Sequence, residues 1–203
     1  MKITIVDYGM GNIYSLQSAL KFLGYDSIYS NKSEDILNAD KIILPGVGSF
    51  KIAMDNITRL KIDRSIKIAV KENNTPILGI CLGMQLLGVS SNEDGFSYGL
   101  NLFEGEVTKF IDQSVKIPHV GFNNVSYPVN STLYKDIQMN SDFYFVHSYK
   151  MKTNKLKGIG YTSYGENFVA SFEQGNIFGT QFHPEKSQTN GLLLLKNFIN
   201  IRL

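Results

Sequence analysis

Short apolar runs alternate along this chain with stretches in which apolar residues recur every three or four positions. Ile3, Ile5 and Val6 form the first run, within residues 2–6, and it ends in the turn Asp7-Tyr8-Gly9-Met10-Gly11. Ile13, Leu16, Leu20 and Leu23 then fall at helical spacing, with Asn12 placed to cap the start and Gly24 to stop it. Further strands are predicted at residues 27–29 and at 41–44, the latter breaking at Pro45-Gly46-Val47-Gly48. Helical pattern returns over 50–72, as one helix or two, before the apolar run of residues 76–80 reads as a central strand. Strands separated by helices need crossovers, which predicts an α/β fold with a mostly parallel sheet covered on both faces.

Beyond residue 100 the pattern changes. Residues 106–111, 143–147, 158–163, 168–172 and 177–180 are short β-rich runs joined by turns. They predict antiparallel strands added to the sheet or forming a smaller one beside it. Leu192, Leu193, Leu195, Phe198 and Ile199 predict a final helix over 190–201.

Composition narrows the function without naming it. A chain of 203 residues, 43% hydrophobic and 19% charged, fits one globular domain, 1–203, with a substantial core. A formal charge of +2, with dispersed lysines, excludes a nucleic-acid footprint or a polybasic membrane patch. The longest apolar runs, such as residues 192–195, are far too short to span a bilayer, and no signal-peptide pattern opens the chain. The expected location is the cytoplasm. The single cysteine excludes an internal disulfide and leaves either an inert buried thiol or a reactive one.

Gly79-Ile80-Cys81-Leu82-Gly83 decides between them. A strand that turns sharply into a helix at a nucleophile needs small residues two before and two after it, so that strand and helix can approach. Gly79 and Gly83 hold those places. The turn also sets the thiol at a helix N-terminus, which favours thiolate, and aims the Leu82 N–H at an oxyanion formed on the attacked carbonyl. A thiol nucleophile needs a base held by a third group. Among three histidines, His183 alone is followed by Pro184 and the carboxylate Glu185; His119 and His147 lack such a partner, although His147 is placed to line a pocket. No grouping has metal-ligand spacing, and neither Pro45-Gly46-Val47-Gly48 nor Gly9-Met10-Gly11 completes a phosphate or dinucleotide motif. The 45–48 segment is expected to supply a second oxyanion donor at the same sheet edge. A glycine on each side of Val47 predicts a peptide that flips cheaply.

Together these residues resemble the class I, triad-type glutamine amidotransferases. More narrowly, they are similar to the family of HisH-type glutaminase subunits of imidazole glycerol phosphate synthase. The likeness runs nearly end to end; the elbow and Gln181-Phe182-His183-Pro184-Glu185 carry the class, and residues 7–12, 118–123 and 145–149 carry the narrower family. It implies a flavodoxin-like α/β glutamine amidotransferase fold, a catalytic triad of Cys81, His183 and Glu185, and an oxyanion hole at the N–H groups of Val47 and Leu82. It further implies a glutamine pocket of Gly48, Gln85, Glu93, Ser148 and Tyr149, with no cofactor. Asn12, Phe122, Tyr144 and Lys186 would face the partner, a HisF-type (β/α)8-barrel cyclase in a heterodimer. Cys81 would form a glutamyl thioester, and the ammonia released would pass through that barrel to make imidazole glycerol phosphate and AICAR in histidine biosynthesis.

Two departures stand out: Phe122 replaces the family's usual tryptophan, and residues 88–99 differ from the usual acidic stretch. They leave open a related copy that supplies ammonia for amidation of a surface sugar. An inactive binding subunit is the alternative outside the enzymes. Cysteine peptidases that share the elbow place histidine directly after the nucleophile, where this chain has Leu82.

Overall fold

The computed structural model describes residues 1–112, 114–155 and 157–202. The first half runs β1 (Ile3–Val6), α1 (Ile13–Phe22), β2 (Ser27–Ser30), α2 (Ser33–Leu37), β3 (Lys41–Leu44), α3 (Phe50–Arg59), α4 (Asp63–Lys71), β4 (Ile77–Ile80) and α5 (Leu82–Leu86). After it come β5 (Ser90–Ser91), β6 (Ser97–Tyr98), β7 (Glu106–Lys109), β8 (His119–Asn124), β9 (Asp142–His147) and β10 (Tyr149–Lys152). The chain closes with β11 (Ile159–Tyr164), β12 (Glu166–Gln174), β13 (Ile177–Thr180), a 3-10 turn (Pro184–Lys186) and α6 (Gln188–Ile199).

Seven strands form the main sheet, in the order β11-β12-β13-β4-β3-β1-β2. From β13 to β2 neighbours are parallel, and β12 and β11 extend the sheet antiparallel. The second half therefore does both of the things its pattern allowed. It adds strands to the main sheet, and it builds a four-stranded sheet (β10-β7-β5-β6) and a two-stranded ribbon (β8-β9).

The sheet is apolar on both faces because residues alternate across it. Ile42, Leu44 and Ile77 join a core with residues of α2, α3, α4 and α5, whereas Ile43, Leu78 and Ile80 pack with Leu16 and Leu20 of α1 and Leu194 and Phe198 of α6. Each of these buried aliphatic and aromatic side chains contributes roughly 1.5–3 kcal/mol of transfer free energy.

The structure revises one expectation, decides another and adds two strands. Asn12 stands at the start of α1 but makes no side-chain capping bond, its backbone at φ −88°, ψ 68° being far from the extended form a capping residue adopts. The 50–72 pattern is two helices, broken where Lys61 turns to φ 58°. The strands β8 and β10, rich in polar and basic residues, gave no apolar run to detect.

Candidate active site

The elbow at Cys81 is strained in the way its glycines imply. Cys81 lies between β4 and α5 at φ 53°, ψ −110°, a conformation that costs an ordinary L-residue energy and persists only where the surroundings enforce it. A Cβ on Gly83 would overlap the Leu44 carbonyl oxygen, and one on Gly79 would sit 2.6 Å from Met84 N and Cα. The ends of β3 and β4 and the start of α5 thus touch through side chains that are missing. The Cys81 N–H donates to the Thr180 carbonyl at 2.7 Å, tying the elbow to β13. At five residues, α5 is too short to supply much macrodipole. What the turn offers the sulfur is its local N–H groups.

His183 follows β13, and the 3-10 turn swings Glu185 back to it. Nδ1 lies 2.8 Å from Glu185 Oε1, with both side chains almost wholly buried. A carboxylate only accepts, so the proton sits on Nδ1 and Nε2 is left for the sulfur. Nε2 forms no hydrogen bond within normal limits among the described residues. Cys81 is nonetheless the largest influence raising its pKa, and catalytic hydrogen bonds are commonly long before substrate binds. Burial pulls His183 down, but the charge that Cys81 carries once ionised, and then Glu185, outweigh it and hold the ring up at about 10. The backbone is clamped as well. The His183 N–H donates to the Tyr144 carbonyl at 2.9 Å, and Ser187 Oγ donates to the His183 carbonyl at 2.6 Å while accepting the Tyr144 N–H at 2.9 Å.

A cavity of about 220 Å³ opens on Cys81, and Val47, Leu82, Gly48, Gln85, Glu93, Ser148 and Tyr149 all line it. Every residue predicted for the pocket and the oxyanion hole is therefore gathered there, including Glu93 from the divergent segment. Larger clefts of about 570 and 630 Å³ lie elsewhere and contain none of them. Glu93 accepts the Phe50 N–H at 2.9 Å at the start of α3, and partial burial raises its pKa. Gln85 turns inward and is 4% exposed, donating through Nε2 to the Tyr149 carbonyl and to Gln181 Oε1, each at 3.0 Å.

Gly48 adopts φ +104°, whereas Gly46 is needed for close approach, since a Cβ there would sit 2.8 Å from Leu82 Cβ. Tyr8 Oη donates to the Pro45 carbonyl just before it. Gly46 thus has a packing role that the turn pattern does not show, and of the two glycines beside Val47 only Gly48 takes a positive φ.

Sequence reasoning left out Gln181, whose Nε2 lies 3.7 Å from Cys81 Sγ, and the Val146 carbonyl, 3.9 Å from the same sulfur. The apolar run before His183 was the available signal for Gln181, since a strand ending at that point brings its next residue to the same sheet edge. His147 lines the cavity as expected and pairs with His119, His119 Nδ1 lying 3.3 Å from His147 Nε2.

Phe122, half exposed, meets Tyr144 edge to face at 5.6 Å, and Lys186 Nζ lies 5.8 Å from the Tyr144 ring. These three form one cluster behind His183. Asn12 is not part of it but begins α1, which packs near the 3-10 turn.

Residues 4–201 match the family model for glutamine amidotransferase class-I. The chain is 48% identical over 204 residues to imidazole glycerol phosphate synthase subunit HisH 1 of Parasynechococcus marenigrum, covering 98% of this chain and 97% of that one. It is 46% identical to subunit HisH of Moorella thermoacetica, covering 97% and 93%. In fold it is similar to PurLQS from Thermotoga maritima, with TM-score 0.73 at 19% identity over 98% and 97% of the two chains. The glutaminase domain of Trypanosoma brucei CTPS gives TM-score 0.66 at 16% identity over 100% and 95%. The chain belongs to the class I glutamine amidotransferases and, within them, to the HisH subunits of imidazole glycerol phosphate synthase.

Proposed function

We propose that this chain is the glutaminase subunit that hydrolyses L-glutamine for histidine biosynthesis, with Cys81 as nucleophile, His183 as base and acid, and Glu185 as the group that holds His183. The observation that carries this reading is a strained cysteine opening on a cavity beside a buried His183–Glu185 pair. His183 Nε2 takes the thiol proton, and the thiolate attacks the carboxamide carbon of glutamine. The N–H groups of Val47 and Leu82 receive the oxyanion. The imidazolium returns its proton to the leaving nitrogen, so ammonia departs and a thioester remains. Water, deprotonated by His183, then cleaves the thioester to glutamate and restores the thiol. Gly48, Gln85, Glu93, Ser148 and Tyr149 hold the substrate, the Glu93 carboxylate facing its ammonium group.

The partner in this reading is a HisF-type (β/α)8-barrel cyclase seated on Phe122, Tyr144 and Lys186, with Asn12 at the edge of the contact. Ammonia passes to it directly, which suits a cytoplasmic enzyme because free ammonia would be protonated and lost. Cys81→Ser should abolish ammonia release with the partner present; retention of activity sinks the assignment. The glycine on each side of Val47 supports a partner-dependent turn of the peptide that carries the Val47 N–H, and losing one oxyanion donor costs on the order of a hundredfold. Steady-state ammonia release by the free chain should therefore fall about that far below the complex, and equal rates would remove the switch.

A further inference from the structure

The geometry points to Gln181 as a further catalytic residue: its carboxamide N–H is a fixed hydrogen-bond donor to the Cys81 sulfur, aimed there by a chain of bonds that starts at the Tyr149 carbonyl. The inference rests on Cys81 being the nucleophile and adds a group to that site. Gln181 is fully buried. Which end of its amide faces the sulfur is settled by its neighbours. The Tyr149 carbonyl can only accept, and it lies 3.0 Å from one end of the Gln85 amide, so that end is Nε2. The second hydrogen of that NH2 points at Gln181, 3.0 Å away, which must present Oε1 to it. Gln181 is then left with its NH2 toward Cys81 Sγ, at 3.7 Å.

The same carbonyl also orders the other side of the cavity. It lies 2.7 Å from His147 Nδ1, which must donate, leaving His147 Nε2 to accept from His119 Nδ1 at 3.3 Å. Burial keeps both rings neutral, pulling His147 to about 3 and His119 to about 4. Every proton in the chain from His119 to Gln181 is therefore assigned by one acceptor-only oxygen. Neither amide can turn over without setting two donors or two acceptors face to face in a buried site.

The arrangement suits the thiolate better than the thiol. The S–H form can donate to the Val146 carbonyl, 3.9 Å from the sulfur. Once that proton moves to His183, the same carbonyl faces a negative charge, and Gln181 is the neutral donor that answers it. In the thioester the N–H faces the bridging sulfur and stabilises it as it leaves, when water attacks. This is a role for a rigid donor whose bond strengthens as charge grows on the acceptor.

The chain has one cysteine, so the rate of alkylation by iodoacetamide reports this sulfur alone. Its pH profile is measured on the purified chain with Gln181→Met and Gln181→Glu. The other groups around the sulfur and its cavity (His183 with Glu185 behind it, buried Tyr8, Glu93, Tyr149 and neutral His147) are the same in all three proteins. Loss of the donor in Gln181→Met should raise the midpoint of thiolate formation by about one pH unit. Gln181→Glu keeps the volume and the acceptor for Gln85 but brings a carboxylate to the sulfur, and should raise the midpoint at least as far. An altered packing role would shift thermal unfolding or the KM for glutamine and leave the alkylation midpoint in place. Midpoints unchanged from the wild type in folded variants overturn the inference. If Gln181→Met does not fold, Gln181→Glu decides alone. Failure here is separable from failure of the nucleophile assignment, which Cys81→Ser tests independently.

Discussion

His183 and the His119–His147 pair are buried alike, at 1%, 2% and 7% exposure, yet they hold their protons in opposite ways. Around His119 and His147 the neighbours are aromatic. His119 stacks on Tyr164 at 4.0 Å and on Phe145 at 4.9 Å, and both rings lie near Phe168. Burial in that setting disfavours the charged form and pulls the two to about 4 and about 3. Around His183 burial pushes the same way but loses to the charge of an ionised Cys81 and to Glu185, and the ring is held at about 10. Burial thus fixes the charge of a histidine only until an anion is placed within reach. In the proposed mechanism the His183 site carries the proton of the sulfur, and the other is a set of fixed dipoles in the cavity wall.

The sharpest way to break this contrast is to remove the proton carrier. His183→Ala should lower glutaminase kcat, measured with the partner present, by on the order of a thousandfold. A loss of only a few-fold would mean that His183 is no more than a packed ring. Glu185→Gln comes next. It keeps an oxygen for Nδ1 but loses the charge that helps hold His183 protonated, so roughly a hundredfold loss is expected, less than for His183→Ala. Equal and negligible effects of the two would contradict the pairing seen at 2.8 Å.

The smallest effect concerns stability, and its sign differs between the sites. His119 and His147 have folded pKa values below the ordinary 6.5, so the unfolded chain takes up protons first as pH falls. Their contribution is full above about pH 6.5 and is lost toward pH 4 and 3. His183 is the reverse: its contribution is full below about 6.5 and lost as pH rises toward 10. Urea midpoints followed across pH should fall on both sides of neutrality. His119→Phe, which keeps a ring for the Tyr164 and Phe145 stack, should make the acid limb shallower and change the glutaminase rate by only a few-fold. An acid limb unchanged in that variant would place its origin elsewhere.

What the sequence showed plainly was local along the chain. The glycines flanking Cys81 were legible because the requirement for them acts within five residues, and the structure supplies the contacts, Leu44 for Gly83 and Met84 for Gly79. His183 was distinguished from the other histidines by a carboxylate two positions away. For Gln181 the apolar run marks a strand end but not which strand lies beside it. Gln181 reaches Cys81 because β13 runs parallel to β4 with Thr180 opposite Ile80, a pairing between residues a hundred positions apart. The His119–His147 contact likewise depends on the β8–β9 register, which no periodicity announces. The same holds for the close approach of Gly46 to Leu82, which no local pattern announces.

The β8–β9 ribbon acts as a stiff lever. Its register places Phe122 opposite Tyr144 near one end and His119 opposite His147 at the other. Three residue steps of strand carry the chain from Tyr144 to His147, about 10 Å of nearly inextensible backbone. Tyr144 is also riveted to His183 through its carbonyl and to Ser187 through its N–H. A load on Phe122 and Tyr144 would therefore not dissipate at the surface. It would reach the wall of the cavity at Val146 and His147 along one arm and His183 along the other, so that anything gripping those two outer rings holds two sides of the candidate site at once.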